Sequence, residues 1–215
     1  MIAELLNSDN YRTSLFALPT LLTASTMLAL GLMVLVRERQ SRVSGSFFVM
    51  TLTAAIWLFS YSMIYCARTA SAALAWSTVG HIGIVFIPPS VYHFTIACLE
   101  LYQQYKRRVW LLWEASAFFL ITVFVGDAFF SGARLYGWGY YPTYGWLGVI
   151  FVCSFFVLMA LSLREFWIAC RAMPPEYERC VARRYFTHSA SPTWARSTTF
   201  QRSVYPFIRS VISPC

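Results

Sequence analysis

The sequence predicts an all-α fold, a polytopic bundle of membrane-spanning helices, and three observations predict it. The 215-residue chain is 58% hydrophobic and only 12% charged, where soluble domains carry about a quarter charged residues. Its apolar residues gather into five segments, each long enough to cross a bilayer as a helix. Its basic residues lie between those segments, where they orient helices, so the net charge of +8 does not point to a nucleic-acid partner.

Residues 1–14, with Glu4, Asp9 and Arg12, read as a short extramembrane lead. They lack the apolar run and small-residue cleavage pattern of a removable signal. Leu15–Val36 is the first span, with Pro19 near its start, where proline is tolerated. RERQSR (Arg37–Arg42) stops it. Gly45–Cys66 is the second span; Trp57, Phe59, Tyr61 and Tyr65 crowd its far end, and such rings favour the headgroup level. Ala67–Ser77 is a small-residue connection.

The third span, Thr78–Leu101, holds Pro88-Pro89 in its middle and His93 one turn later. Each proline removes a backbone donor and crowds the carbonyl four residues back. Lipid cannot replace the lost bonds, so the segment is expected to be kinked and interior. Lys106-Arg107-Arg108 close it. Val109–Gly126 is the fourth span and Gly145–Leu163 the fifth. Between them Asp127–Tyr144 is a loop dense in Gly, Tyr and Trp. Arg164–Arg184 is polar and basic.

Orientation follows from the basic residues. The connections after spans one, three and five carry three, three and five Lys/Arg, eleven in all. The other side carries three: Arg12, Arg68 and Arg134. The bias places the N-terminus and the 127–144 loop outside and residues 164–184 in the cytoplasm. It makes this a multi-pass protein of the cell inner (plasma) membrane, with the bilayer as its first partner.

His93 is the ionisable residue deepest in a span. A buried ionisable group in a membrane is a site candidate by default. At helical spacing Pro89, His93, Ile96 and Glu100 share one stripe. Pro88, Pro89, Tyr92 and His93 are therefore the candidate sensing or kink residues. The competing explanation for His93 is a neutral imidazole bonded to a neighbouring helix. His81 is expected at the outer end of span three, at the interface. The outer loop has five aromatic residues between Tyr136 and Tyr144. Trp138, Tyr140 and Tyr141 are candidates for a ligand platform, against the simpler reading of an interfacial aromatic belt.

Several chemistries have no signature here. The six cysteines form no CxxC or CxxH pair, so neither a disulfide framework nor a zinc site is expected. No nucleotide-binding glycine motif and no catalytic constellation stands at a credible place. No catalytic residue, metal site or cofactor is expected. A small transporter or channel is the alternative class, yet the proline pair has no counterpart in another span, as an inverted repeat would require.

Three motifs in order, WLFSYSMIY (Trp57–Tyr65), GIVFIPPSVYHF (Gly83–Phe94) and GDAFFSG…YGWGYYPTYG (Gly126–Gly145), make the chain similar to the N-terminal seven-helix region of bacterial sensor histidine kinases. The resemblance implies a membrane sensory or anchoring module over residues 15–184, the five spans being five of the family's seven helices. It implies a two-component signalling context, a homodimer as candidate assembly, and an output domain that the family carries after this region. This chain is expected to lack that output domain. Residues 179–215 hold six arginines and ten Ser/Thr and no acid. The stretch 185–215 reads either as a basic tail or as the product of a shifted reading frame, and no membrane helix is expected in it because a central arginine costs about 2.5–3.5 kcal/mol.

Overall fold

In the computed structural model, residues 5–38, 41–124 and 128–172 are described. The expected boundary between the fourth span and the loop at Asp127, and the expectations for residues 173–215, lie outside them. The described chain is mostly helical: α1 (Ala17–Arg37), α2 (Arg42–Cys66), α3 (Ala70–Ile84), α4 (Ile87–Cys98), α5 (Tyr102–Val123), strands β1 (Phe130–Tyr136) and β2 (Gly139–Tyr144), then α6 (Trp146–Ala172). Four stretches are long and apolar enough to cross a membrane: Ala17–Arg37, Arg42–Cys66, Ala70–Cys98 and Trp146–Ile168. They correspond to expected spans one, two, three and five, and with the helical content they make this an all-α membrane bundle.

The fourth expected span differs. Its helix, α5, forms, but its first two turns carry Lys106, Arg107 and Arg108 and its middle carries Glu114. The part of the described helix beyond these cations is Val109–Val123, short for a bilayer crossing of about 20 residues.

Helix α2 is the hub of residues 1–162. It packs against α1, α3, α4 and β2. Ser41 caps it, its hydroxyl accepting from the Ser44 amide at 3.1 Å. Its buried face is built of small polar residues, among them Ser46, Thr51, Thr53, Ser60 and Ser62. Each hydroxyl bonds a carbonyl of its own helix, as Thr53 to Met50 at 2.9 Å and Ser60 to Ile56 at 2.8 Å do. The groups are satisfied without water, and their small size lets neighbouring backbones approach. A Cβ on Gly31 of α1 would overlap the Thr51 hydroxyl, and Gly83 of α3 lies against the Thr53 and Trp57 backbone. By contrast α1 turns most of its apolar surface outward, as a lipid-facing helix does.

The third span begins earlier than its composition indicates. Thr69 caps α3, accepting from the Ala72 amide at 3.2 Å, so the connection after α2 is short and Ala70–Ser77 is helical. The segment divides at Val85-Phe86. Pro88 and Pro89 occupy the first turn of α4 and have no amide hydrogen to offer the carbonyls of Ile84 and Val85.

The 127–144 loop contains a two-stranded antiparallel hairpin, with Phe130 facing Tyr144, Tyr136 facing Gly139, and a register shift between Phe130 and Gly132. Period-two burial is weak in this stretch, and the glycines and aromatics hide the strand signal. The lead and the α2–α3 connection meet at the same end of the bundle. Tyr11 bridges Ala67, the Arg68 amide donates to the Asn10 carbonyl at 2.8 Å, and the Tyr140 hydroxyl donates to the Arg68 carbonyl at 3.4 Å. The end of α6 from residue 163 belongs to a separate unit. In it Arg171 stacks over Trp167 at 4.7 Å.

Candidate functional site: a histidine in an aromatic box

His81 lies in the last turn of α3 and is fully buried. This corrects its expected place at the interface: α3 starts at Ala70, so position 81 lies three turns on from that end, and the hairpin covers it. Four aromatic rings stand roughly perpendicular to the imidazole. Phe130 is at 4.6 Å between centroids, Phe129 at 5.1 Å, Tyr144 at 5.8 Å and Phe151 at 6.1 Å. Phe129, Phe130 and Tyr144 come from the hairpin and its entry; Phe151 comes from α6.

The ring's polar atoms have defined partners. Nδ1 is 2.8 Å from the Ser77 carbonyl oxygen one turn back. A carbonyl only accepts, so Nδ1 carries the proton of the neutral ring and Nε2 presents its lone pair. Nε2 is 3.5 Å from the Tyr144 hydroxyl. The phenols continue outward: Tyr144 interacts with Tyr61 of α2, and Tyr61 with Tyr141. The Tyr61 and Tyr141 rings meet edge to face at 6.2 Å. Burial pushes the Tyr144 phenol up to about 12, Tyr141 adds to the rise, and the hydrogen bond with Tyr61 opposes it. Tyr61, expected among headgroup rings, is instead buried beneath the hairpin.

The outer-loop candidates separate. Trp138, at the turn, is exposed and stacks flat on Tyr136 at 4.9 Å with an angle of 5°. Tyr141 meets the edge of the same Tyr136 ring at 6.5 Å. Tyr140 packs against the core cluster of Tyr61, Ile64, Ala67, Ala72 and Ala73.

At the opposite end of the interrupted helix lie the other candidates. Pro88, Pro89 and Tyr92 are buried. Close by, Ser90 and Thr53 place their hydroxyl oxygens 3.4 Å apart between α4 and α2. His93 is half-buried and stacks on Tyr102, the first residue of α5, at 5.4 Å and 30°. Arg42 of α2 lies over the Tyr102 ring at 5.0 Å. The expected stripe through Glu100 stops short. The helix ends at Cys98, and Glu100 is exposed with a φ of 57°, off the helical face.

His81 is the residue that spacing arguments undervalued, together with Ser77, Phe129, Phe130 and Phe151. The contact to Ser77 left no sequence signal, because any helical histidine has a backbone carbonyl four residues back. Among the described residues no group of three or more His, Cys, Asp and Glu comes together to hold a metal.

The family described as the N-terminal 7TM region of histidine kinase matches residues 20–183. No curated protein and no solved structure matches the chain.

Proposed function

The chain belongs to the family of the N-terminal 7TM region of histidine kinase, and from that premise we propose that it is the membrane sensory module of a bacterial two-component signalling protein. In this reading it anchors the protein in the inner membrane, receives a stimulus at the hairpin end, and passes it to the basic end. Phosphoryl transfer is left to a kinase core, and a homodimer is the assembly that such a module would use.

The observation that carries the reading is the interrupted helix pair α3–α4. It runs from a buried histidine under the hairpin, through the proline break, to the His93–Tyr102–Arg42 stack. A helix missing two ladder bonds in lipid bends more readily than an intact one, so it is a suitable two-state element between two ends. The eleven-to-three basic bias supports an outward hairpin and N-terminus and a cytoplasmic α4–α5 junction. Residues Pro88, Pro89, Tyr92 and His93 would then act in transmission, Trp138 and Tyr141 in the outward surface, and Tyr140 in docking the hairpin on the bundle.

The test is a chimera. The 215-residue chain replaces the membrane region of a full-length histidine kinase of this family, and autophosphorylation is measured in membranes. The reading requires an output that changes when the hairpin is perturbed, for example by Tyr140→Ala. A chimera whose phosphorylation ignores every change in the membrane region contradicts it.

A further inference from the structure

We propose that His81 and the hairpin form a proton-operated latch, in which protonation of His81 releases Phe129, Phe130 and Tyr144 and loosens the hairpin from the bundle. The sensory reading supplies only the signalling consequence; the latch is a property of this chain by itself.

The box is built for a neutral ring. From its own helix His81 meets the Ser77 carbonyl. From the hairpin it meets Phe129, Phe130 and Tyr144, and from α6 it meets Phe151. Behind them the cluster is closed by apolar side chains of α5 and α6, among them Phe119, Val123 and Phe155. Tyr144 is the titratable group that faces the imidazole, and Tyr61 of α2 stands behind it. Both phenols are uncharged wherever histidine titrates. No carboxylate faces the ring among these contacts, and the ring is fully buried. An imidazolium here would stand among aromatic rings without a counterion, which the closed arrangement penalises.

Protonation also reverses a hydrogen bond. Nε2 changes from acceptor to donor, and Tyr144 keeps the contact only by turning its own proton away. The proton has a path. Tyr141 is 38% exposed, contacts Tyr61, and Tyr61 contacts Tyr144. The hydroxyls form a line from the surface to Nε2.

The hairpin is the part that gives. An isolated two-stranded sheet is marginal, so docking holds it in place. Three of the four rings around His81 come from it and its entry, and its polar ties to the helices run through Tyr140, to the Arg68 carbonyl at 3.4 Å, and through Tyr144, to His81 at 3.5 Å and to Tyr61. Release has a direct route to the helix break. The His81 carbonyl accepts from the Val85 amide at 3.2 Å, and Val85 packs in the same cluster as Phe129, Phe130 and Phe151.

The experiment uses the full chain in lipid nanodiscs. Spin labels are placed by Ala70→Cys and Leu135→Cys with the six native cysteines replaced, and their distance is followed from about pH 7.5 to about pH 5, where histidine titrates. The expected result is a long-distance population that grows in acid by up to about tenfold per pH unit, the one-proton limit. It does not grow in His81→Gln. A wild-type distribution that stays fixed, or moves equally in His81→Gln, overturns the latch. Imidazole nitrogen NMR of the wild-type chain gives a second readout if the variant does not fold, with His93→Gln and His188→Gln assigning the other two histidines. His81 must begin as the Nδ1–H tautomer and titrate together with the distance change. A charged His81 with the hairpin closed, or an opened hairpin with His81 neutral, also overturns it. Opening in the chain alone, with a chimeric kinase indifferent to acid, would count against the sensory reading and leave the latch standing.

Discussion

Gly83 and Thr53 meet backbone to backbone: a Cβ on Gly83 would stand 2.5 Å from the Thr53 carbonyl oxygen and 2.8 Å from the Trp57 amide nitrogen. Neither neighbour is a side chain that can turn aside. Gly83→Ala is therefore expected to push α3 off α2 and to cost about 1–3 kcal/mol, the usual range for overpacking. Gly137→Ala is the control, because nothing lies within 4 Å of that position. Thermal unfolding in detergent checks the pair; equal stability of the two variants would mean that the helices do not cross so closely.

Tyr102 joins three helices through its ring, with Arg42 at 5.0 Å and His93 at 5.4 Å. Tyr102→Phe keeps the ring and should be nearly neutral. Tyr102→Ala loses both contacts and should cost about 1 kcal/mol, the scale of an exposed cation–π pair. Chemical unfolding of the two variants separates ring stacking from any role of the hydroxyl.

Tyr144 sets an alkaline limit on hairpin docking. Its phenol is raised to about 12, against about 10 in an unfolded chain. The docked state favours the neutral phenol, so this contribution is complete below pH ~10 and is lost as pH rises from there towards 12. In tyrosine ring-carbon NMR the Tyr144 signal, assigned by Tyr144→Phe, should titrate later than an unperturbed tyrosine, whose midpoint is about 10. A Tyr144 midpoint near the ordinary value would show that the phenol is not shielded.

The orientation can be tested by thiol labelling of intact cells. In a cysteine-free background, Arg134→Cys should react with an impermeant reagent and Arg171→Cys should not. The reverse pattern would turn the molecule over and put the hairpin in the cytoplasm.

The helical spans were legible because hydropathy over about 20 residues is a strong signal, and the break near Pro88-Pro89 because a missing amide hydrogen is a property of proline alone. The start of α3 was not legible: Ala70–Ala73 is a run of small residues that resembles a connection until the Thr69 cap is seen. His81 followed that error outward. The hairpin was hidden because its burial comes from docking on α2 and α3 and not from alternation along its strands, as buried Gly139 and Pro142, three positions apart, illustrate. The α5 shortfall turned on charge: Lys106–Arg108 closed one span in the sequence, yet they occupy the opening turns of the next helix.

The claim that the broken helix carries a signal between the two ends is tested most directly by restoring its missing donors. In the kinase chimera, Pro88→Ala with Pro89→Ala supplies amide hydrogens for Ile84 and Val85, and autophosphorylation is compared with and without the hairpin change Tyr140→Ala. The predicted result is that the hairpin change alters output in the proline-containing protein and has little effect once both prolines are replaced, with membrane insertion unchanged. An undiminished response to Tyr140→Ala in the double-alanine chimera would contradict transmission through the α3–α4 break.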